Sequence, residues 1–113
     1  MTNVYIIGSN RFDDLKKRIY DSLLHRKDVR VQAVGFSSNF NEVLINKNYE
    51  ALHALEDKAI EEADLIILVD GHEINDKPYV GKDTQREVDY CKSLNKKIYA
   101  SDILLDIYLK KKA

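Results

Sequence analysis

Apolar and polar positions change their period from one segment of this chain to the next. "NVYIIG", Asn3 to Gly8, is a β-branched and aromatic run that ends on glycine, which predicts a short buried strand. In "SNRFDDLKKRIYDSLLHRK" the side chains of Phe12, Leu15, Ile19, Leu23 and Leu24 recur at helical spacing. Ser9 or Asn10 can cap that helix, and Asp13 and Asp14 suit the positive end of its dipole. "VRVQAVGF", Val29 to Phe36, alternates apolar with polar residues and predicts a less buried, edge-like strand. Residues 37–48 are polar and weakly periodic, a loop with room for a short helix or strand.

"YEALHALEDKAIEEA" places Tyr49, Leu52, Leu55, Ala59, Ile60 and Ala63 on one helical face, with Glu56 near its edge where it can reach water. "DLIILVDG" is the most apolar run and predicts a central parallel strand buried on both faces. A loop follows that carries the only proline, Pro78. Thr84 to Asn95 then predicts a helix, "KKIYA" a short strand, and Ser101 to Lys111 a closing amphipathic helix. No repeat, linker or low-complexity segment interrupts this order.

Strands alternating with helices specify an α/β fold with a parallel sheet. Right-handed crossovers make it a three-layer, flavodoxin-like or Rossmann-like arrangement of about four to five strands, with helices on both faces. A strand order of 2-1-3-4 puts a switch point between the first strand and "DLIILVD", and ligands of open α/β sheets bind at the strands' carboxyl ends near such a point. Three segments should converge there: Gly8-Ser9-Asn10-Arg11, Asp70-Gly71, and Gly81 to Glu87.

Composition narrows the field. A chain of 113 residues, 44% hydrophobic and 33% charged, suits a single globular domain. A formal net charge of -1 offers no global field for nucleic acid. The basic run Lys16-Lys17-Arg18 reads as a solvated helix face, and Lys110-Lys111-Lys112 as a tail. One cysteine, Cys91, and three histidines without ligand spacing argue against a disulfide or a metal site. Cys91 reads as a small buried hydrophobe. No apolar stretch reaches membrane-spanning length and the N-terminus lacks a signal pattern, so the expectation is a cytoplasmic protein without metal or cofactor.

Thr84, Glu87, Val88, Cys91 and Leu94 share one helical stripe, so Glu87 is a carboxylate on the packing face. Thr84-Gln85-Arg86-Glu87 matches a capping box, in which the glutamate bonds back to the N-cap amide. The alternative is a chemical role, a carboxylate nucleophile or base near the strand ends. Asp70 can accept from sugar hydroxyls or act as acid or base, and equally can satisfy turn amides. Gly8, Ser9, Asn10 and Arg11 can hold an anion at a helix N-terminus, or form only a tight turn with a surface arginine. Tyr5 can present a phenol to the cleft or pack as a strand aromatic. His72, in the loop after Asp70, reads as exposed.

"VYIIGS", "EEADLIILVDG" and "VGKDTQREVDYCKSLNKKIYA", in this order, resemble the nucleoside 2-deoxyribosyltransferase-like family, and the resemblance covers most of the chain. It implies a small-molecule nucleoside or nucleotide as substrate and Glu87 as the nucleophile that attacks the anomeric carbon. Asp70 would hold the sugar or help protonate the base, and Tyr5 would orient the glutamate. Ser9, Asn10 and Arg11 would meet a 5′-phosphate, with Gly8, Gly71, Gly81 and Thr84 also lining the substrate site. The resemblance also implies a homodimer or larger homo-oligomer, with the "FSSNFNEVL" stretch able to supply contacts to a neighbour. The chain departs from the family pattern at Asp83 and Asp89, where glycine is usual. Two other expectations therefore stand beside catalysis: a module that binds a nucleotide without cleaving it, and a TIR-like NAD-cleaving relative.

Overall fold

The computed structural model describes residues 1–37, 40, 46–71 and 78–99. Four parallel strands form one sheet in the order β2-β1-β3-β4, the order expected from the hydrophobic pattern. They are β1 (Thr2–Gly8), β2 (Val29–Ala33), β3 (Leu65–Val69) and β4 (Ile98–Tyr99). β1 pairs with β2 from Thr2 opposite Val29 and with β3 from Val4 opposite Leu65, so Gly8 meets Val69 at the carboxyl end. Among the described residues three α-helices connect the strands: α1 (Asp13–Leu24), α2 (Tyr49–Glu62) and α3 (Lys82–Ser93).

Alternation along the strands divides the core in two, because successive side chains point to opposite faces. Val4 and Ile6 of β1 and Leu65, Ile67 and Val69 of β3 pack with Leu15, Ile19 and Leu23 of α1. Tyr5 and Ile7 of β1 and Ile66 of β3 pack with Leu52, Ala59 and Ile60 of α2 and Val88 and Cys91 of α3. The result is a three-layer α/β sandwich. β3 is the strand most thoroughly enclosed, and its unbroken apolar run is what burial on both faces demands.

Several boundaries differ from the sequence pattern, each for a local reason. Ser9 caps a short 3₁₀ turn, Asn10–Phe12, by accepting the Arg11 amide at 3.2 Å, and α1 proper starts only after it. β2 stops at Ala33, where the Ser37 hydroxyl accepts the Ala33 amide at 2.8 Å and Gly35 turns the chain at φ 91°. α3 begins at Lys82, two residues before Thr84, with Gly81 as its N-cap. Tyr49, Leu24 and Leu94, assigned to apolar faces by their spacing, are exposed. The expected closing helix Ser101 to Lys111 lies outside the described residues, as do His72 and all of residues 41–45.

Two charged side chains run against their expected exposure. Lys16 was expected on a solvated face, yet it is 4% exposed. Its stem lies over Gly8, where an added Cβ would come within 3.2 Å of Lys16 Cδ, and its ammonium donates to the Gly8 carbonyl at 3.1 Å. Glu56 was expected to reach water, yet it is 6% exposed, and Arg86 of α3 pairs with it at 3.4 Å. Both partners lie outside the helix in question, which is why helical spacing did not reveal them.

Candidate functional site

The carboxyl ends of β1 and β3 and the chain leading into α3 meet as the topology requires. Gly71 adopts φ 79° and sits so close to Phe12 that an added Cβ would approach Phe12 Cε1 to 2.4 Å. The Asp70 carbonyl accepts the Tyr79 amide at 2.8 Å, tying the end of β3 to the segment before α3. The Tyr79 ring meets Phe12 edge-on, with centroids 6.4 Å apart. The Arg11 guanidinium lies 3.8 Å from the centroid of the same ring, a cation–π stack. The three predicted segments are therefore joined through Phe12 and Tyr79, neither of which was a sequence-based candidate. A sequence signal existed for Tyr79 only in its place beside Pro78, three residues before the α3 helix.

The turn after β1 differs from a vacant anion cradle. The Arg11 amide is taken by Ser9 Oγ, and the Phe12 amide donates to the Ser9 carbonyl at 3.0 Å. The Arg11 amide, expected to help hold an anion, is thus engaged within the turn itself, as is the Phe12 amide beside it. Arg11 keeps a chemical capacity, because stacking occupies the face of the guanidinium and leaves its in-plane N–H donors to other partners. At Gly81 an added Cβ would rest 3.5 Å from the Tyr79 hydroxyl, an ordinary contact. Packing against the chain's own atoms therefore does not require glycine there.

On the other face of the sheet from Phe12, Tyr5 Oη donates to Glu87 Oε2 at 2.9 Å. Glu87 is 7% exposed and sits in the second turn of α3. The capping-box reading does not hold. The helix starts at Lys82, Thr84 is already inside it and makes no side-chain cap, and the Glu87 carboxylate faces the sheet. A four-residue motif lost to tertiary geometry, since Gly81 began the helix early and a strand tyrosine offered the carboxylate a buried partner.

Around this pair lies a set of charges. Arg86 Nη1 donates to Asp57 Oδ1 at 3.0 Å while Arg86 Nη2 reaches Glu56, so one guanidinium bridges two carboxylates of α2. Burial pushes the Glu87 carboxyl up to about 8, and the Glu56 charge pushes the same way. The hydrogen bond from Tyr5 and the charges of Arg86 and Lys16 oppose that rise. Burial also raises the Tyr5 phenol, with the Glu87 charge adding to it. Glu56 is raised by burial against the pull of Arg86. The Cys91 thiol is pushed by burial to about 11, which keeps it a neutral packing group.

Comparison of the chain with family models, curated proteins and solved structures returned no significant match in any of the three. The function must then be argued from the site. Among the described residues no group of three or more His, Cys, Asp or Glu side chains could hold a metal ion, and no helix is long and apolar enough to cross a membrane. Chemically, the described residues offer a buried carboxyl with a phenol donor, a shared guanidinium and, separately, an arginine stacked on a tyrosine.

Proposed function

We propose that this chain cleaves or transfers the N-glycosidic bond of a nucleoside or nucleotide, as its resemblance to nucleoside 2-deoxyribosyltransferase-like proteins implies, with Glu87 as nucleophile. The observation that carries this reading is the 2.9 Å hydrogen bond from Tyr5 to Glu87, made across 82 residues of sequence. A glutamate spent on capping its own helix would not need that partner, and a nucleophile needs one group to fix its rotamer. The Glu87 carboxylate attacks the anomeric carbon as the bond to the base breaks. The base leaves with the bonding electrons and takes up a proton, for which Asp70 is the candidate donor. Water or a second base then attacks the glycosyl ester and returns Glu87 as carboxylate. Arg11 would meet a 5′-phosphate. The same reading includes a cytoplasmic homo-oligomer.

A second reading, a module that binds a nucleotide without cleaving it, is favoured by the burial of Glu87. A carboxyl at about 8 is about nine-tenths protonated at neutral pH, and the protonated form is no nucleophile. The two readings part in one experiment, release of free base from nucleosides, 5′-nucleotides and NAD by the wild type and by Glu87→Ala. Turnover abolished in Glu87→Ala supports glycosidic chemistry. No turnover from any substrate, together with a nucleotide-dependent rise in Tm, supports the binding module.

A further inference from the structure

The glycosidic reading makes no use of Ser37 and Phe40, yet both are buried and together they reach Tyr5. The Phe40 ring, fully enclosed, lies against the Tyr5 ring with centroids 6.1 Å apart and planes within 18° of parallel. Ser37 ties that contact to the sheet. Its hydroxyl accepts the Ala33 amide at 2.8 Å, and its own amide donates to the Ala33 carbonyl at 3.0 Å. Its carbonyl in turn accepts the Phe40 amide at 3.1 Å. Ala33 ends β2 opposite Ile6 of β1, the residue next to Tyr5. Tyr5 is thus held at two points from distant parts of the chain, at its ring by Phe40 and at its hydroxyl by Glu87. We propose that Phe40, seated by Ser37, is a positioning residue for Tyr5: it denies the Tyr5 ring room to move and so keeps the phenol on Glu87.

The argument is one of volume. A flip of the Tyr5 ring turns it about the axis that carries the hydroxyl oxygen, and that oxygen stays where it is. To leave Glu87 the oxygen must travel with the whole ring, and in a close-packed interior the ring needs free space beside it to do so. Phe40 fills that space on the side it occupies, and the offset-parallel arrangement adds attraction between the rings. Truncating Phe40 leaves a cavity there, because the surroundings relax only in part. Phe36 provides the contrast. It belongs to the same turn and its amide also bonds the Ala33 carbonyl, but its ring packs on Tyr20 in the core on the opposite face of the sheet. This inference deepens the assignment of Glu87 as nucleophile and rests on it only for its catalytic consequence.

The test reads the Tyr5–Glu87 hydrogen bond from the carbon that bears the phenol oxygen. With tyrosine labelled by carbon-13 at Cζ the chain carries seven labels, and Tyr5→Phe assigns the signal of residue 5 by its loss. Glu87→Met keeps an unbranched side chain, removes the acceptor and marks where the signal of the unbonded phenol lies. Phe40→Leu is expected to shift the Tyr5 signal toward that position, and Ser37→Ala to shift it the same way by less. Phe36→Leu is expected to lower Tm and leave the Tyr5 signal in place. Near-ultraviolet circular dichroism checks that each variant keeps its tertiary packing, and if Phe40→Leu loses it, Phe40→Met decides in its stead. A Tyr5 signal unmoved by the Phe40 substitution would overturn the proposal, because a purely structural Phe40 would lower Tm and leave the hydrogen bond as it was. An equal shift from Phe36→Leu would overturn it too, since the effect would then be general loosening. The readout needs no turnover, so absence of glycosidic activity sinks the functional reading without touching this result.

Discussion

Tyr5 and Glu87 meet through a hydrogen bond of 2.9 Å between the central strand β1 and helix α3, and both are buried. The Tyr5 ring also stacks on Phe40, with centroids 6.1 Å apart and planes within 18°. Tyr5→Phe therefore removes the hydroxyl and keeps the ring. The Glu87 oxygen loses its donor inside the core, at a cost of about 1–2 kcal/mol in urea denaturation at pH 7. The same hydrogen bond holds the Glu87 midpoint down, so its loss should raise that midpoint. A variant as stable as wild type with an unmoved midpoint would show that the bond does not form in solution.

The raised Glu87 carboxyl predicts how stability depends on pH. Its ordinary value is 4.5 and its folded value about 8, so between these the native state holds a proton that the unfolded chain has released. The contribution is fully present below about pH 4.5 and is lost as pH rises through 8. Its upper bound is about 5 kcal/mol. Glu87→Gln keeps the shape and cannot ionise, so its unfolding free energy should fall less than that of wild type from pH 5 to pH 8. Glu56 is raised in the same direction and leaves a residual slope in both proteins. Parallel pH profiles for the two would refute the assignment.

How much of this was legible in the sequence follows from the range of each interaction. The sheet order and the two-sided burial of β3 were readable, because apolar runs and periods are properties of single segments and crossover handedness restricts how they assemble. Glu87 was readable as an anomaly on a packing face, but its partner was not, since nothing local links position 87 to position 5. The capping box failed because a local motif competes with tertiary partners that a four-residue window does not contain. Lys16 and Glu56 were misplaced for a related reason. A charged residue near a buried face is sent to solvent by its type alone, and only the Gly8 carbonyl or the Arg86 fork explains why it stays inside.

Gly71 is expected to tolerate no side chain. At φ 79° an alanine is strained, and its Cβ would come 2.4 Å from the Phe12 ring. Gly71→Ala should cost about 2–4 kcal/mol by chemical denaturation, strain and overpacking together. Only the steric part depends on Phe12. In a Phe12→Leu background, where the ring is gone, the same substitution should therefore cost less. Equal costs in both backgrounds would mean that backbone strain alone excludes alanine.

Lys16 gives the last test, because its ammonium serves two partners at the end of β1. It donates to the Gly8 carbonyl at 3.1 Å and pairs with Asp13 at 3.3 Å. Lys16→Met keeps an unbranched stem to cover Gly8 and removes the charge. Two stability effects then oppose each other. The Gly8 carbonyl loses a donor, at roughly 1–3 kcal/mol, while the desolvation of a buried ammonium is relieved, so the net loss should be about 1 kcal/mol. The titration has no such cancellation. Lys16 favours the ionised form of Glu87, so Lys16→Met should raise the Glu87 midpoint above that of the wild type. This rise can be followed on the infrared C=O band of the buried carboxyl, with Glu87→Gln assigning that band. An unmoved midpoint would mean that the Lys16 charge does not act on Glu87.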